Sequence, residues 1–171
     1  MKTVFIFGAG ASAQAGAPLM SNFIDQAHDL LRFKIRGVEE VRSDFEAVFD
    51  AIAELQRVHS KSYLDLDNIE IVFGAIEMAL LLKKLGNRSL KEIKGLRNSL
   101  ITLIYKTLEW SIPFPRNEGL ISPPKPYDGF FTMLDQVNYG KNYQDPHQFS
   151  FITFNYDLCL DYALHFSGRL L

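Results

Sequence analysis

Two short runs of β-branched and aromatic residues predict one strand near each end of the chain. The first, Thr3 to Phe7, is apolar almost throughout and ends at a glycine, as a strand covered on both faces does. The second, Phe149 to Phe154, follows a polar stretch that is rich in turn residues. We therefore predict an α/β fold with a parallel sheet.

Between these runs, apolar residues recur at the spacing of three and four that is typical of helices. The four predicted helix starts are Ser21, Ser43 with Glu46, Asp67 with Glu70, and Ser89. The third helix is expected to end at Gly86 and the fourth at about Trp110. Residues from approximately 40 to 110 are therefore predicted to form a helical insertion between the first and second strands.

The segment from Ser111 to Pro126 contains five prolines, which remove backbone donors and fix φ. We therefore predict an irregular surface connection there. A short helix that carries Phe130, Phe131, Leu134 and Val137 is expected to follow it.

Composition excludes several classes of function. Eighteen basic and twenty acidic residues give a formal charge of -2 without a basic run, so direct nucleic-acid binding is not expected. The single cysteine, Cys159, can form neither an internal disulfide nor a four-thiolate zinc site, so we expect no metal and a cytoplasmic protein. The apolar segment from Ile69 to Leu85 carries four charged residues, so we predict a buried helix and no membrane association.

A loop of small residues follows the first predicted strand directly. Gly8, Gly10 and Ala13 have the spacing of dinucleotide-binding loops, in which alanine can replace the third glycine. Small residues let the backbone approach a pyrophosphate, and Ser12 adds a hydroxyl donor. The alternative is a tight turn without a ligand, which uses the same residue types. The carboxylate that binds a ribose hydroxyl in dehydrogenases is missing, because Asp25 and Asp29 fall inside a predicted helix.

A second polar loop, Thr153 to Asp157, lies at the carboxyl end of the second strand, where open α/β sheets place their ligands. The Asn155 amide can orient a ribose hydroxyl or a water, and the Asp157 carboxylate can accept a hydrogen bond from an amide. The alternative is that both residues form a turn and cap a helix that begins near Leu158.

Together the two loops resemble the sirtuin-like superfamily, whose phosphate loop reads Gly-Ala-Gly-x-Ser and whose later strand ends in Thr-x-Asn-x-Asp. The matching residues are Gly8, Ala9, Gly10, Ala11 and Ser12 in the first loop and Thr153, Asn155 and Asp157 in the second. The chain is most similar to the sirtuin-like NAD-hydrolysing domains of bacterial anti-phage defence. In those domains the second loop reads Asn-Tyr-Asp, and a helical segment with Ile-Glu, here Ile69-Glu70, precedes it.

This resemblance implies that residues 1–171 are the N-terminal portion of a sirtuin-like NAD-binding domain. The implied fold is a Rossmann-like parallel sheet with the helical insertion, incomplete at the C-terminus. The implied reaction cleaves NAD, as a substrate, to nicotinamide and ADP-ribose. The first loop and Thr153 would bind NAD, while Asn155 and Asp157 would both bind it and take part in catalysis. A C-terminal sensor or effector domain and a homo-oligomer are further expectations.

Two departures from the family limit what the resemblance implies. The four zinc-binding cysteines and the Pro-Asp-Phe-Arg element of the deacetylases are absent, which argues against deacylation. The family's catalytic His precedes a glycine, and the sequence contains no His-Gly pair. His165, ten positions after Asn155, would lie about 15 Å along a helix from it. A module that binds NAD or ADP-ribose without cleaving it, and an interaction domain with an open sheet edge, therefore remain alternatives.

Overall fold

A computed structural model describes residues 2–58, 64–117, 119–138 and 148–168. The chain divides into two compact units, the first formed by Met1–Ala17 with Ser111–Leu171 and the second by Pro18–Trp110. In chain order the elements are β1 (Lys2–Phe7), α1 (Gly10–Ala13), α2 (Phe23–Arg32), α3 (Val38–Val58), α4 (Ile69–Leu82), α5 (Leu90–Ser111), β2 (Arg116–Asn117), β3 (Leu120–Ile121), α6 (Tyr127–Asn138), β4 (Gln148–Thr153) and α7 (Cys159–Phe166).

The first unit is built on a parallel pair of strands. β1 and β4 lie side by side in register from Lys2 opposite Gln148 to Phe7 opposite Thr153. Aromatic side chains on one face of this pair pack against α6, and the ring centroids of Phe5 and Phe130 lie 5.1 Å apart in an edge-to-face contact. This aromatic layer fixes the carboxyl ends of both strands next to α6.

The predicted Rossmann-like parallel sheet is wrong. Among the described residues, the parallel sheet contains only β1 and β4, and the other sheet is the two-residue antiparallel pair of β2 with β3. About 60% of the described residues are helical. The physical reason is that apolar positions between the two strands follow the helical period, so this part of the chain forms helices that pack on one another.

The other face of the strand pair is exposed, contrary to the expectation for β1. The side chains of Val4, Ile6 and Ile152 are 56%, 68% and 45% exposed. The aromatic residues that alternate with them pack against buried residues of the first unit. An apolar run therefore indicated a strand here but not the burial of both of its faces.

The second unit is helical. Its buried apolar side chains come from four helices and from Leu66, which precedes α4. The fully enclosed ones include Phe45, Val48, Val72, Ile76 and Leu100. In the described ranges, no helix combines the length and the apolar character that crossing a bilayer requires.

The helix boundaries show where local sequence signals are enough to predict the start of a helix. Ser89 accepts a hydrogen bond from Glu92 N–H at 3.3 Å, and the Glu92 carboxylate accepts one from Ser89 N–H at 2.7 Å, which confirms the predicted start of α5. Ser43 was a wrong start, because α3 begins at Val38. The proline-rich segment contains the short β2–β3 pair, where no regular element was expected.

Asn68, and not the predicted Asp67, caps α4. Its side-chain oxygen accepts a hydrogen bond from Glu70 N–H at 2.9 Å. α4 also ends before Gly86, since Lys83 adopts a left-handed conformation with φ of 54°.

We expect Asn68→Ala to lower the free energy of unfolding by about 1 kcal/mol, since the Glu70 N–H at the start of α4 loses its hydrogen-bond partner. Denaturant titration measures this loss, and Asp67→Ala is the matched control. An equal effect of the two substitutions would contradict the assignment.

Candidate functional site

The two loops singled out in the sequence lie next to each other in the first unit. Phe7 and Thr153, the last residues of β1 and β4, are paired across the sheet. The backbone N–H of Phe154 extends this pairing and donates to the Phe7 carbonyl oxygen at 3.1 Å. Parallel pairing therefore places the Gly8 loop and the Asn155 loop at the same edge of the sheet.

Ser12 and Asn155 connect the loops through their side chains. The Asn155 Nδ2 group donates a hydrogen bond to Ser12 Oγ at 3.1 Å. Asn155 Oδ1 is buried and has no hydrogen-bond partner among the described residues. Because a buried amide oxygen without a partner is unfavourable, a bound hydroxyl or water at this position would satisfy it.

Tyr127 completes a hydrogen-bonded cluster with Ser12 and Asn155, and no sequence pattern predicted it. It begins α6 directly after the proline-rich segment, and its hydroxyl lies 2.8 Å from Ser12 Oγ. Its side chain is buried, and its ring stacks against Phe7 with centroids 6.0 Å apart. Burial raises the pKa of Tyr127 above its ordinary value, and the hydrogen bond with Ser12 opposes this in part. The phenol therefore stays protonated at neutral pH. A separation of 115 residues from Ser12 leaves no local signal for the contact.

Thr153 and Asp157 shape the second loop through backbone hydrogen bonds. The Thr153 hydroxyl accepts from Asn155 N–H at 3.1 Å, and one Asp157 carboxylate oxygen accepts from Cys159 N–H at 2.9 Å. The second of these bonds holds the start of α7, which is the turn-and-cap role considered for Asp157 in the sequence. The other carboxylate oxygen is not used in this bond.

Gly8 and Gly10 have no packing reason to be glycine. A Cβ atom at either position would meet no atom within 4 Å, and neither residue has a positive φ. Both positions are exposed, whereas Ser12 is fully buried and Ala9 and Ala11 are half-buried. The glycines therefore leave open space at the loop, while the Ser12 hydroxyl is directed into the internal cluster.

The hydrogen bonds of this cluster involve neither of the described histidines, His28 and His165. His28 stacks against Phe49 in the helical unit with ring centroids 4.2 Å apart, and His165 is exposed in the last turn of α7. His59 and His147 lie outside the described residues. In the part of the site that the structure describes, the polar groups come from Ser12, Thr153, Tyr127, Asn155 and Asp157.

Comparisons with protein-family models, with curated proteins and with solved structures give no match to this chain. The defining features of the candidate site are the open glycine loop, the Ser12–Asn155 contact and the buried amide oxygen.

Cys159 lies beside this site but is expected to be unreactive. Its side chain is fully buried, and burial, together with the neighbouring Asp157 carboxylate, raises the pKa of the thiol to about 12. At pH 8 we expect the native protein to react with an aromatic disulfide reagent at least about 100-fold more slowly than the unfolded chain, because the thiolate is the reactive species. Absorbance of the released thiolate follows both rates. Equal rates in native buffer and in guanidinium chloride would contradict this burial.

Proposed function

We propose that this chain binds NAD at the carboxyl ends of β1 and β4 and cleaves the bond between nicotinamide and ribose. The observation that carries the proposal is the Asn155 amide, whose nitrogen is held by Ser12 while its buried oxygen has no partner among the described residues. The resemblance of both loops to sirtuin-like NAD-hydrolysing domains supports the choice of substrate. On that resemblance alone, the proposal extends to NAD depletion in the cytoplasm during anti-phage defence.

The glycine loop supports the binding of a pyrophosphate group. The space beside Gly8 and Gly10 is open, and close approach of a phosphate to the backbone is a reason for glycine when packing gives none. Ala11 N–H and Ser12 N–H donate to carbonyl oxygens of the same loop, at 2.9 and 3.2 Å, which gives the loop a defined conformation before a ligand binds. The loop would thus hold the dinucleotide so that one ribose lies near Asn155.

The proposed reaction is hydrolysis. The C–N bond breaks with its electron pair going to nicotinamide, which leaves as a neutral molecule, and water forms the new C–O bond and releases a proton to solvent. The site needs to stabilise an oxocarbenium-like centre and to orient the water. Asn155 Oδ1 would accept a hydrogen bond from the ribose hydroxyl or the water, and Asp157 would position the nicotinamide end.

A second candidate function is binding of NAD or ADP-ribose without cleavage. Two observations favour it: the described residues of the site include no His, and one oxygen of Asp157 already holds the start of α7. A module of this kind would use the same glycine loop and the same Asn155 amide. The two functions differ only in whether product appears.

The test is to incubate the purified chain with NAD and to separate the products by chromatography. Equal amounts of nicotinamide and ADP-ribose, formed catalytically, support hydrolysis. Saturable binding in calorimetric titration without product supports the binding module and overturns the hydrolase. Neither binding nor product, for a chain whose circular dichroism shows it to be folded, contradicts both functions.

A further inference from the structure

The side chains of Tyr127, Ser12 and Asn155 form a short chain of hydrogen bonds at the candidate site, which we call the relay. Tyr127 Oη lies 2.8 Å from Ser12 Oγ, and Ser12 Oγ accepts a hydrogen bond from Asn155 Nδ2 at 3.1 Å. Ser12 is fully buried, and Tyr127 is 2% exposed. Solvent is therefore excluded as an alternative partner for the two hydroxyl groups, and their mutual arrangement is decided within the protein.

The hydroxyl of Ser12 has one proton and two lone pairs, so its role depends on Tyr127. The Asn155 Nδ2 group can only donate, and Ser12 must therefore accept from it. If Ser12 donates its hydroxyl proton to Tyr127 Oη, only its lone pairs remain, and they accept the hydrogen bond from Asn155. Without an acceptor at position 127, the Ser12 proton is divided between the amide and the neighbouring Cys159 sulfur, and whenever it points to the amide the orientation with Oδ1 facing Ser12 is favoured.

We infer that Tyr127 is a positioning residue that acts through Ser12 and sets the orientation of the Asn155 amide. In this orientation Oδ1 is the unpartnered buried atom of the amide, so a group that reaches it has to donate a hydrogen bond, as a sugar hydroxyl or a bound water does. A phosphate or carboxylate oxygen is disfavoured at this point because it can only accept. The catalytic consequence rests on the proposed NAD hydrolysis, whereas the orientation itself does not.

The substitution that tests this is Tyr127→Phe, which removes the hydroxyl and keeps the ring that stacks on Phe7. In the ligand-free protein we expect the Asn155 side-chain amide signal in ¹⁵N NMR, assigned by its loss in Asn155→Ala, to shift and to exchange faster with solvent. Tyr162→Phe is the matched control, since Tyr162 packs on Phe114 at 4.8 Å in the same unit. An unchanged Asn155 signal in Tyr127→Phe would overturn the inference.

A double-mutant cycle separates positioning from general damage. We expect Tyr127→Phe to lower kcat for NAD cleavage about tenfold, the loss typical of one hydrogen bond, with KM changed by less than about threefold. In a Ser12→Ala background the same substitution should have no further effect, because the relay is already broken. An undiminished effect of Tyr127→Phe in that background would show that Tyr127 does not act through Ser12.

Two further outcomes keep the inference independent of the proposed function. If the wild type does not cleave NAD but its Asn155 signal responds to Tyr127→Phe, the orientation is supported and the hydrolase is overturned. If Tyr127→Phe does not fold, the wild type still provides a test. The Ser12 hydroxyl proton must then show a through-space NMR contact to the Tyr127 ring, and its absence in an otherwise ordered spectrum overturns the inference.

Discussion

Replacing Asn155 by alanine is expected to reduce nicotinamide release at least about 100-fold and to leave the chain folded. The loss is large because one substitution removes both the acceptor for the ribose hydroxyl or water and the contact with Ser12. Stability should change by only about 1 kcal/mol or less, because Ser12 keeps its contact with Tyr127 and an unpartnered buried oxygen is removed. Initial rates of nicotinamide release, measured beside thermal unfolding, give both quantities.

The control variants separate the amide from its surroundings. Asn155→Asp keeps the size of the side chain and an acceptor oxygen but loses the donor to Ser12, so we expect a smaller loss than for alanine. Asn98→Ala, at an exposed position of α5, should retain the wild-type rate. If the wild type releases nicotinamide, release at the same rate by Asn155→Ala would rule out the proposed role of this residue.

Local signals in the sequence predicted the parts of the fold that depend on a few neighbouring residues. The predicted start of α5 at Ser89 was correct because both partners of the reciprocal Ser89–Glu92 hydrogen bonds lie within one turn. The same reasoning failed at Ser43. α3 already begins at Val38, and acidic residues in its first turn, including Glu39, favour that start.

The candidate site was predicted in part for the same reason. Each loop could be recognised from its own residues, and parallel pairing of β1 with β4 places the two loops together. Tyr127 was missed because its contact with Ser12 depends on how α6 packs against β1, which no local pattern records. The Rossmann-like sheet was predicted wrongly because a buried-strand pattern identifies a strand without identifying its neighbours in the sheet.

Two glycines of the first unit are expected to respond in opposite ways to substitution. At Gly16, φ is +102° and an added Cβ would collide with the Ser111 carbonyl oxygen. We expect Gly16→Ala to lower the free energy of unfolding by at least about 2 kcal/mol, from the left-handed conformation and the collision together. Gly10→Ala should leave stability unchanged or raise it slightly, because the position is helical, has no positive φ and is open.

Ligand binding, unlike stability, is expected to depend on Gly10, because the open space beside this residue is where the pyrophosphate is proposed to lie. We expect Gly10→Val to weaken ADP-ribose binding at least about tenfold while the protein stays folded, since its branched side chain fills the approach to the backbone. Calorimetric titration with ADP-ribose measures this loss, and denaturant titration of the same preparations measures stability. Wild-type affinity in a folded Gly10→Val variant would place the ligand elsewhere, because open space at the loop would then have no function in binding.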